Sequence, residues 1–201
     1  MKGLLLVVSG PSGVGKGTLL GMLLKSRQDC VFSISATTRT PRPGEVDGEH
    51  YYFLTNDIFE QWVEEDRFLE WNKVFDRFYG TPRAPIEAHR EAGRHVILDV
   101  DVQGGVQLLE SAPEAISIFI APPDLDALRE RLMGRGTETA EQIQSRLLTA
   151  RSELKYLNHY RYIIVNDELT VACQKIEAII SSEMCRTDRL KEHNALPRFD
   201  K

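Results

Sequence analysis

At 201 residues the chain is long enough for one α/β core with small insertions, but short for two independent domains. Its 25 Lys and Arg against 30 Asp and Glu give a net charge of −5, which argues against a nucleic-acid binder, although a few clustered arginines still suffice to hold a small phosphate ligand. The apolar share of 42% and charged share of 27% are ordinary for a soluble globular protein.

Residues 4–8 (Leu-Leu-Leu-Val-Val) form a continuous apolar run, the pattern of a parallel strand buried on both faces and far too short to cross a bilayer. It leads straight into a glycine-rich loop with no signal-peptide cleavage pattern, so a cytoplasmic location is expected. A helix is predicted over residues 15–25. Between Val31 and Gly80 the pattern changes to short alternating strands, turn residues (Pro41, Pro43, Gly44, Gly48) and many aromatics. This predicts a small antiparallel insertion carrying one helix over residues 57–65. Further strands are predicted at residues 95–99, 116–120 and 162–165, and the helical patterns between them imply a mostly parallel sheet flanked by helices. Near the C-terminal third, Leu125, Leu128 and Leu132 mark a helix that runs into the polar link Gly134-Arg135-Gly136-Thr137. The next helix opens with Thr139 and Gln142, a capping-box pair, and carries an apolar stripe of Ile143, Leu147, Ala150, Leu154 and Leu157. The predicted organisation is one α/β domain over 1–201. It comprises a core at 1–32, 86–124 and 156–201, a small mixed α/β insertion at 33–85 that binds a nucleoside monophosphate, and a helical lid at 125–155.

Cys30, Cys173 and Cys185 form no CxxC pair and are expected to be small buried hydrophobes, with neither a disulfide framework nor a zinc site. His50, His89, His95, His159 and His193 show no ligand spacing and are read as structural or solvated.

The loop Gly10-Pro11-Ser12-Gly13-Val14-Gly15-Lys16-Gly17-Thr18 satisfies GxxxxGK between a strand and a helix. Its glycines let backbone N–H groups wrap phosphate oxygens, the helix N-terminus adds partial positive charge, and Lys16 reaches the β- and γ-phosphates. Gly17 stands where a magnesium-binding hydroxyl is common. Two alternatives stay open: Thr18 substitutes, or Mg²⁺ is held by ATP oxygens and water. Asp101-Val102-Gln103-Gly104 matches the DxxG of GTPases, but the guanine-reading NKxD is not met, because Asn72-Lys73-Val74-Phe75 has its aspartate one place late at Asp76. A kinase instead needs a second anion site facing the first. Arg39 and Arg42, held in a stretch stiffened by Pro41 and Pro43, present two guanidinium forks for a phosphate dianion, with Tyr51 and Tyr79 as hydroxyl donors.

The whole pattern resembles the guanylate kinase family over nearly the entire chain. The resemblance rests on residues 9–16, Thr37-Thr38-Arg39-Thr40-Pro41-Arg42-Pro43-Gly44-Glu45, Phe68-Leu69-Glu70-Trp71, Tyr79-Gly80-Thr81, residues 97–104 and Gly134-Arg135-Gly136-Thr137-Glu138. It implies transfer of the γ-phosphoryl group of ATP to GMP, a step in GMP recycling and GDP/GTP supply, with Mg²⁺ accompanying ATP. By that resemblance Arg39, Arg42, Tyr51 and Tyr79 bind the GMP phosphate, Ser35, Glu70, Thr81 and Asp101 read the base, and Asn166 lies near the adenine. Arg135 and Arg146 contact the phosphoryl group in flight, with Arg131 either beside them or capping its own helix. Asp99 is assigned to the GMP side and to the outer shell of the magnesium waters. The assignment of Glu70 has an independent chemical rationale: guanine offers a ring N1–H and an amino group side by side to one carboxylate, whereas adenine offers a bare N1 acceptor. Two rivals are a kinase for AMP or UMP, and the peptide-binding module into which guanylate kinase-like domains have been recruited. Keeping Lys16, Arg39, Arg42 and the lid arginines argues against the second.

Overall fold

The computed structural model describes residues 1–74, 76–134 and 139–196. The N-terminal apolar run becomes β1 (Leu5–Ser9), buried at every position. Helix α1 (Lys16–Ser26) begins one residue later than predicted, because Gly15 adopts φ 93°, a left-handed conformation that glycine takes at least cost. There follow β2 (Cys30–Phe32), β3 (Ala36–Thr37), β4 (Tyr52–Phe53), α2 (Asn56–Glu64), β5 (Phe68–Val74), β6 (Arg77–Pro82), α3 (Arg83–Glu91) and β7 (His95–Asp99). The chain continues through α4 (Val102–Ser111), β8 (Ile116–Ala121), α5 (Leu125–Met133), α6 (Ala140–Glu153), a 3₁₀ turn (Leu154–His159), β9 (Tyr162–Val165), α7 (Leu169–Met184) and α8 (Thr187–Glu192).

Five parallel strands form the main sheet in the order β2-β7-β1-β8-β9. Alternation along β1 explains its unbroken hydrophobicity. Leu6 and Val8 face α1 and α7 with Leu19, Leu23, Ile176 and Ile180, while Leu5 and Val7 face the other layer with Ile86 and Leu108. The chain reverses direction across the sheet at β1, so the crevice for a ligand lies at the carboxyl ends of β1 and β7.

The insertion forms a second sheet in the order β4-β3-β6-β5. It is mixed rather than antiparallel: β3 pairs β6 and β5 pairs β6 antiparallel, but β3 and β4 run parallel. The long connection of residues 38–51 carries the chain back to its starting end before β4, as a parallel pair requires. Phe59 from α2 seals this sheet, stacking on Phe68 at 4.5 Å and Phe78 at 5.2 Å. The predicted stripe on α6 divides between two cores. Ile143, Leu147 and Ala150 pack against Leu128 and Leu132 of α5, whereas Leu154 and Leu157 join Phe119 and Tyr160. The division falls where α6 ends at Glu153 and the backbone tightens into the 3₁₀ turn.

Cys30 and Cys173 are buried as expected, but Cys185 is exposed, because it closes the C-terminus of α7 beyond the last core-facing turn. His95 is structural, its Nδ1 accepting from the Leu4 N–H at 3.0 Å. No helix among the described residues is long and apolar enough to cross a membrane.

Candidate active site

The loop between β1 and α1 packs so closely on β8 that a Cβ on Gly10 would lie 2.3 Å from the Ile120 carbonyl oxygen. Inside the loop, Lys16 Nζ donates to Val100 O at 2.6 Å and sits 2.8 Å from Asp99 Oδ1, so β7 and the turn after it anchor the lysine. A cavity of about 460 Å³ opens here, lined by Gly10, Pro11, Ser12, Gly13, Gly15, Lys16, Gly17 and Thr18, with Asp99, Val100, Asp101 and Glu153 facing them. Val14 is fully buried beneath the loop, and its carbonyl accepts from Asn166 Nδ2 at 2.8 Å and from Arg131 Nη1 at 3.3 Å. Arg131 also donates to the Asp167 carbonyl at 3.2 Å, so it ties α5 to the loop and to the end of β9 instead of capping its own helix. Asn166 is only 1% exposed and grips the loop from below. A larger cavity of about 540 Å³ lies at the amino ends of the strands. Its charges largely neutralise one another, as in Arg90 with Glu87 and Arg186 with Glu183, and no glycine loop faces it.

The insertion builds a second anion-ready surface. Arg39 makes a two-pronged pair with Glu45, both contacts 2.8 Å, and its Nη1 also donates to Thr40 O at 2.9 Å. These bonds take three of the five guanidinium N–H groups. Glu45 also accepts from the Arg42 backbone N–H at 2.6 Å, and the Arg39 pairing, followed by this bond, holds its carboxyl down to about 2. The Arg39 guanidinium lies over the Tyr51 ring at 5.2 Å, Tyr79 meets Tyr51 edge-on at 6.4 Å, and Tyr79 interacts with the same guanidinium. The Arg42 side chain is exposed. Buried threonines brace this corner: Thr37 Oγ1 donates to Phe78 O at 2.9 Å, and Thr38 Oγ1 accepts from Phe78 N at 3.0 Å.

Beside it, Thr81 Oγ1 donates to Glu70 Oε1 at 2.7 Å across the β5–β6 pair. Burial raises the Glu70 carboxyl above its ordinary value, the Thr81 bond opposes that, and the charge of Asp101 adds to it. Asp101 is therefore near the Glu70 pocket while also lining the loop cavity, and it caps α4 by accepting from Gly104 N at 2.7 Å. Ser35 enters β3 with its carbonyl accepting from Tyr52 N at 2.9 Å. Trp71 is 45% exposed and contributes instead to the aromatic cluster around Phe59 and Phe78. On the lid side, Arg146 Nη1 donates to Ser12 Oγ at 2.9 Å. Residues 135–138, Arg135 among them, lie outside the described residues.

Two acidic groups of the site escaped the sequence reading. Glu45 was visible only as the end of a motif, although its spacing from Arg39 is the available signal. Glu153 gave none, since it reaches the loop cavity only through the packing of α6.

The family profile described as guanylate kinase matches residues 2–183. The chain belongs to the guanylate kinase family. A guanylate kinase of Caldanaerobacter subterraneus subsp. tengcongensis is 48% identical over 191 residues, covering 95% of this chain and 93% of the relative. One from Clostridium perfringens is 47% identical over 192 residues, covering 96% and 89%. The crystal structure of guanylate kinase from Anaplasma phagocytophilum shares the fold with a TM-score of 0.70 at 31% identity, covering 98% of both chains. Similarity on that scale spans both anion surfaces of the guanylate kinase fold and the segment that joins them.

Proposed function

We infer that this chain works as an ATP:GMP phosphotransferase, and that the residues gathered above divide its labour. It transfers the γ-phosphoryl group of ATP to GMP and releases ADP and GDP. The observation that carries the residue-level reading is the position of Asp101, which lines the phosphate-loop cavity and is close enough to bias the Glu70 carboxyl. Donor and acceptor sites thus meet at one edge.

Lys16 and the loop amides hold the triphosphate, and Lys16 leaves Asp99 to do so. Arg39, Arg42, Tyr51 and Tyr79 hold the GMP phosphate, with Glu45 fixing the guanidinium plane of Arg39. Glu70, ionised, accepts from guanine N1–H and the 2-amino group, while Thr81, Ser35 and Asp101 complete the base pocket. One oxygen of the GMP phosphate attacks the γ-phosphorus in line as the bond to the β-bridging oxygen breaks and ADP departs. Such a transfer asks chiefly for alignment and charge neutralisation. Arg146, already at the loop tip, and Arg135 supply positive charge to the moving group, and their closure excludes water. Asn166 and Arg131 keep the loop in shape through the Val14 carbonyl.

Magnesium suits these residues. Asp99, Asp101 and Glu153 surround the cavity, and Glu153 Oε2 is buried with no hydrogen-bond partner. When bound, Mg²⁺ neutralises charge on the β- and γ-phosphates. Side-by-side rates of ADP release with GMP, AMP and UMP test the reading. GMP is expected to exceed both by at least about tenfold, as one unmatched buried polar group suffices for. Equal rates would refute the guanine assignment, and no turnover of any monophosphate would refute the kinase.

A further inference from the structure

Glu153 is an anomaly in a pocket meant for a polyphosphate. It is the last residue of α6, its backbone fixed because the next residue, Leu154, packs into the cluster of Phe119 and Tyr160. Its half-buried side chain faces the loop cavity together with Lys16 and Asp101. One carboxylate oxygen, Oε2, is shielded from solvent and has no hydrogen-bond partner. The Lys16 charge acts on this carboxylate, but the hydrogen bonds of its ammonium group go to Asp99 and the Val100 carbonyl. A negatively charged carboxylate beside incoming phosphates is repulsive unless a cation comes between them.

The helix start points the same way. A hydroxyl after the loop lysine would commonly assist the metal, and here that residue is Gly17. Space is not the reason, because a Cβ built on Gly17 meets nothing within 4 Å. Among the described residues no three His, Cys, Asp or Glu side chains cluster tightly enough to enclose a bare ion. The carboxylates facing this cavity are therefore suited to an ion that keeps its water, as magnesium does.

We propose that Glu153 is a positioning residue for the hydrated magnesium that accompanies ATP, its carboxylate accepting hydrogen bonds from the ion's water shell and supplying from the lid helix what Gly17 does not supply from the loop. This rests on the phosphotransferase reading above. It makes the C-terminal end of α6 part of the donor site, while Arg146, two turns earlier on the same helix, serves the transferring group.

The test is calorimetric binding of ATP alone, without GMP, to the wild type and to Glu153→Gln, first in a metal chelator and then across a magnesium titration. The variant is expected to bind metal-free ATP as well as the wild type or a few-fold tighter, because a negative charge is gone. Its gain in affinity from magnesium is expected to shrink about tenfold, with the half-saturating magnesium concentration rising by a similar factor. Glu153→Asp, which keeps the charge, should recover part of the gain and serves as the second variant if the glutamine chain is unstable. An unchanged magnesium gain in Glu153→Gln overturns the proposal. So does an equal loss of ATP affinity with and without metal, the signature of a merely structural role. Because phosphoryl transfer is not read here, absent GMP turnover counts against the function above, whereas a failed magnesium effect counts against Glu153 alone.

Discussion

In the proposed base pocket, Glu70 trades stability for recognition. Burial raises its carboxyl above the ordinary value of 4.5, so the folded state holds this proton more tightly than the unfolded one. Its stabilising contribution is thus present below that value and is lost as the pH climbs through the raised one. Glu70→Gln is expected to unfold at a higher temperature than the wild type at neutral pH, with the gap closing toward pH 4, as thermal melts across pH will show. The same variant should lose about 1–3 kcal/mol of GMP binding, since guanine then meets one acceptor where it needs two. In the wild type, GMP affinity should fall on acidification, starting above the range of an ordinary glutamate, in titrations of the dissociation constant against pH. Glu45 has the opposite character: held down to about 2, it stays ionised throughout and keeps the Arg39 fork aimed. Glu45→Gln should weaken GMP binding about tenfold, in line with the loss of a charged hydrogen bond, and leave ATP binding unchanged in parallel calorimetry. Arg39 was legible from its proline-stiffened motif, but its partner was not singled out, because the pairing depends on a turn that brings Glu45 back over Arg39.

At the scale of elements, the phosphate loop is held from two sides. β8 presses on it at Gly10, and the buried amide of Asn166 takes the Val14 carbonyl from beneath. Asn166→Ala removes that support and is expected to weaken ATP binding about tenfold, a change of roughly 1.4 kcal/mol, while GMP affinity stays within twofold. Equal losses for both nucleotides would show a general loosening of the fold. The loop itself was readable from glycine spacing between an apolar run and a helix, because that geometry is local. The clamp was not: Asn166 and Val14 lie far apart in sequence, and only the β8–β9 pairing brings them together. The mixed pairing of the small sheet was hidden for a related reason. Strand direction in so short a pair is decided by the route of residues 38–51, not by the two residues that pair. The capping box of α6, by contrast, appears as read: Thr139 and Gln142 satisfy each other's backbone N–H.

For the whole molecule, the strand order places the phosphate-loop cavity on the parallel sheet and the proposed GMP surface on the mixed sheet, with Asp101 near both. Each substrate should therefore stabilise the fold separately, ATP and GMP each adding about 2.7 kcal/mol at a hundredfold excess over its dissociation constant. Lys16→Ala is expected to lose most of the ATP increment and keep the GMP increment in ligand-dependent melting, while turnover falls sharply. Loss of both increments would mean that the two surfaces do not form independently. The alternation of apolar runs and helices was enough to foresee the parallel sheet. The reach of Glu153 into the loop cavity was not foreseeable, since it depends on how α6 packs against α5 and ends above the core. The thiols carry a practical corollary. The Cys30 thiol is pushed up to about 12 by burial, and Cys173 is buried, whereas Cys185 alone is open to reagents. It stands at the far end of a sixteen-residue helix whose first residue, Leu169, lies beside the phosphate loop, 3.9 Å from where a Cβ on Gly15 would sit, and such a helix is about 24 Å long. A maleimide dye added to the native chain would thus settle at one remote place, marking each molecule for fluorescence work without engineered cysteines or interference with substrate.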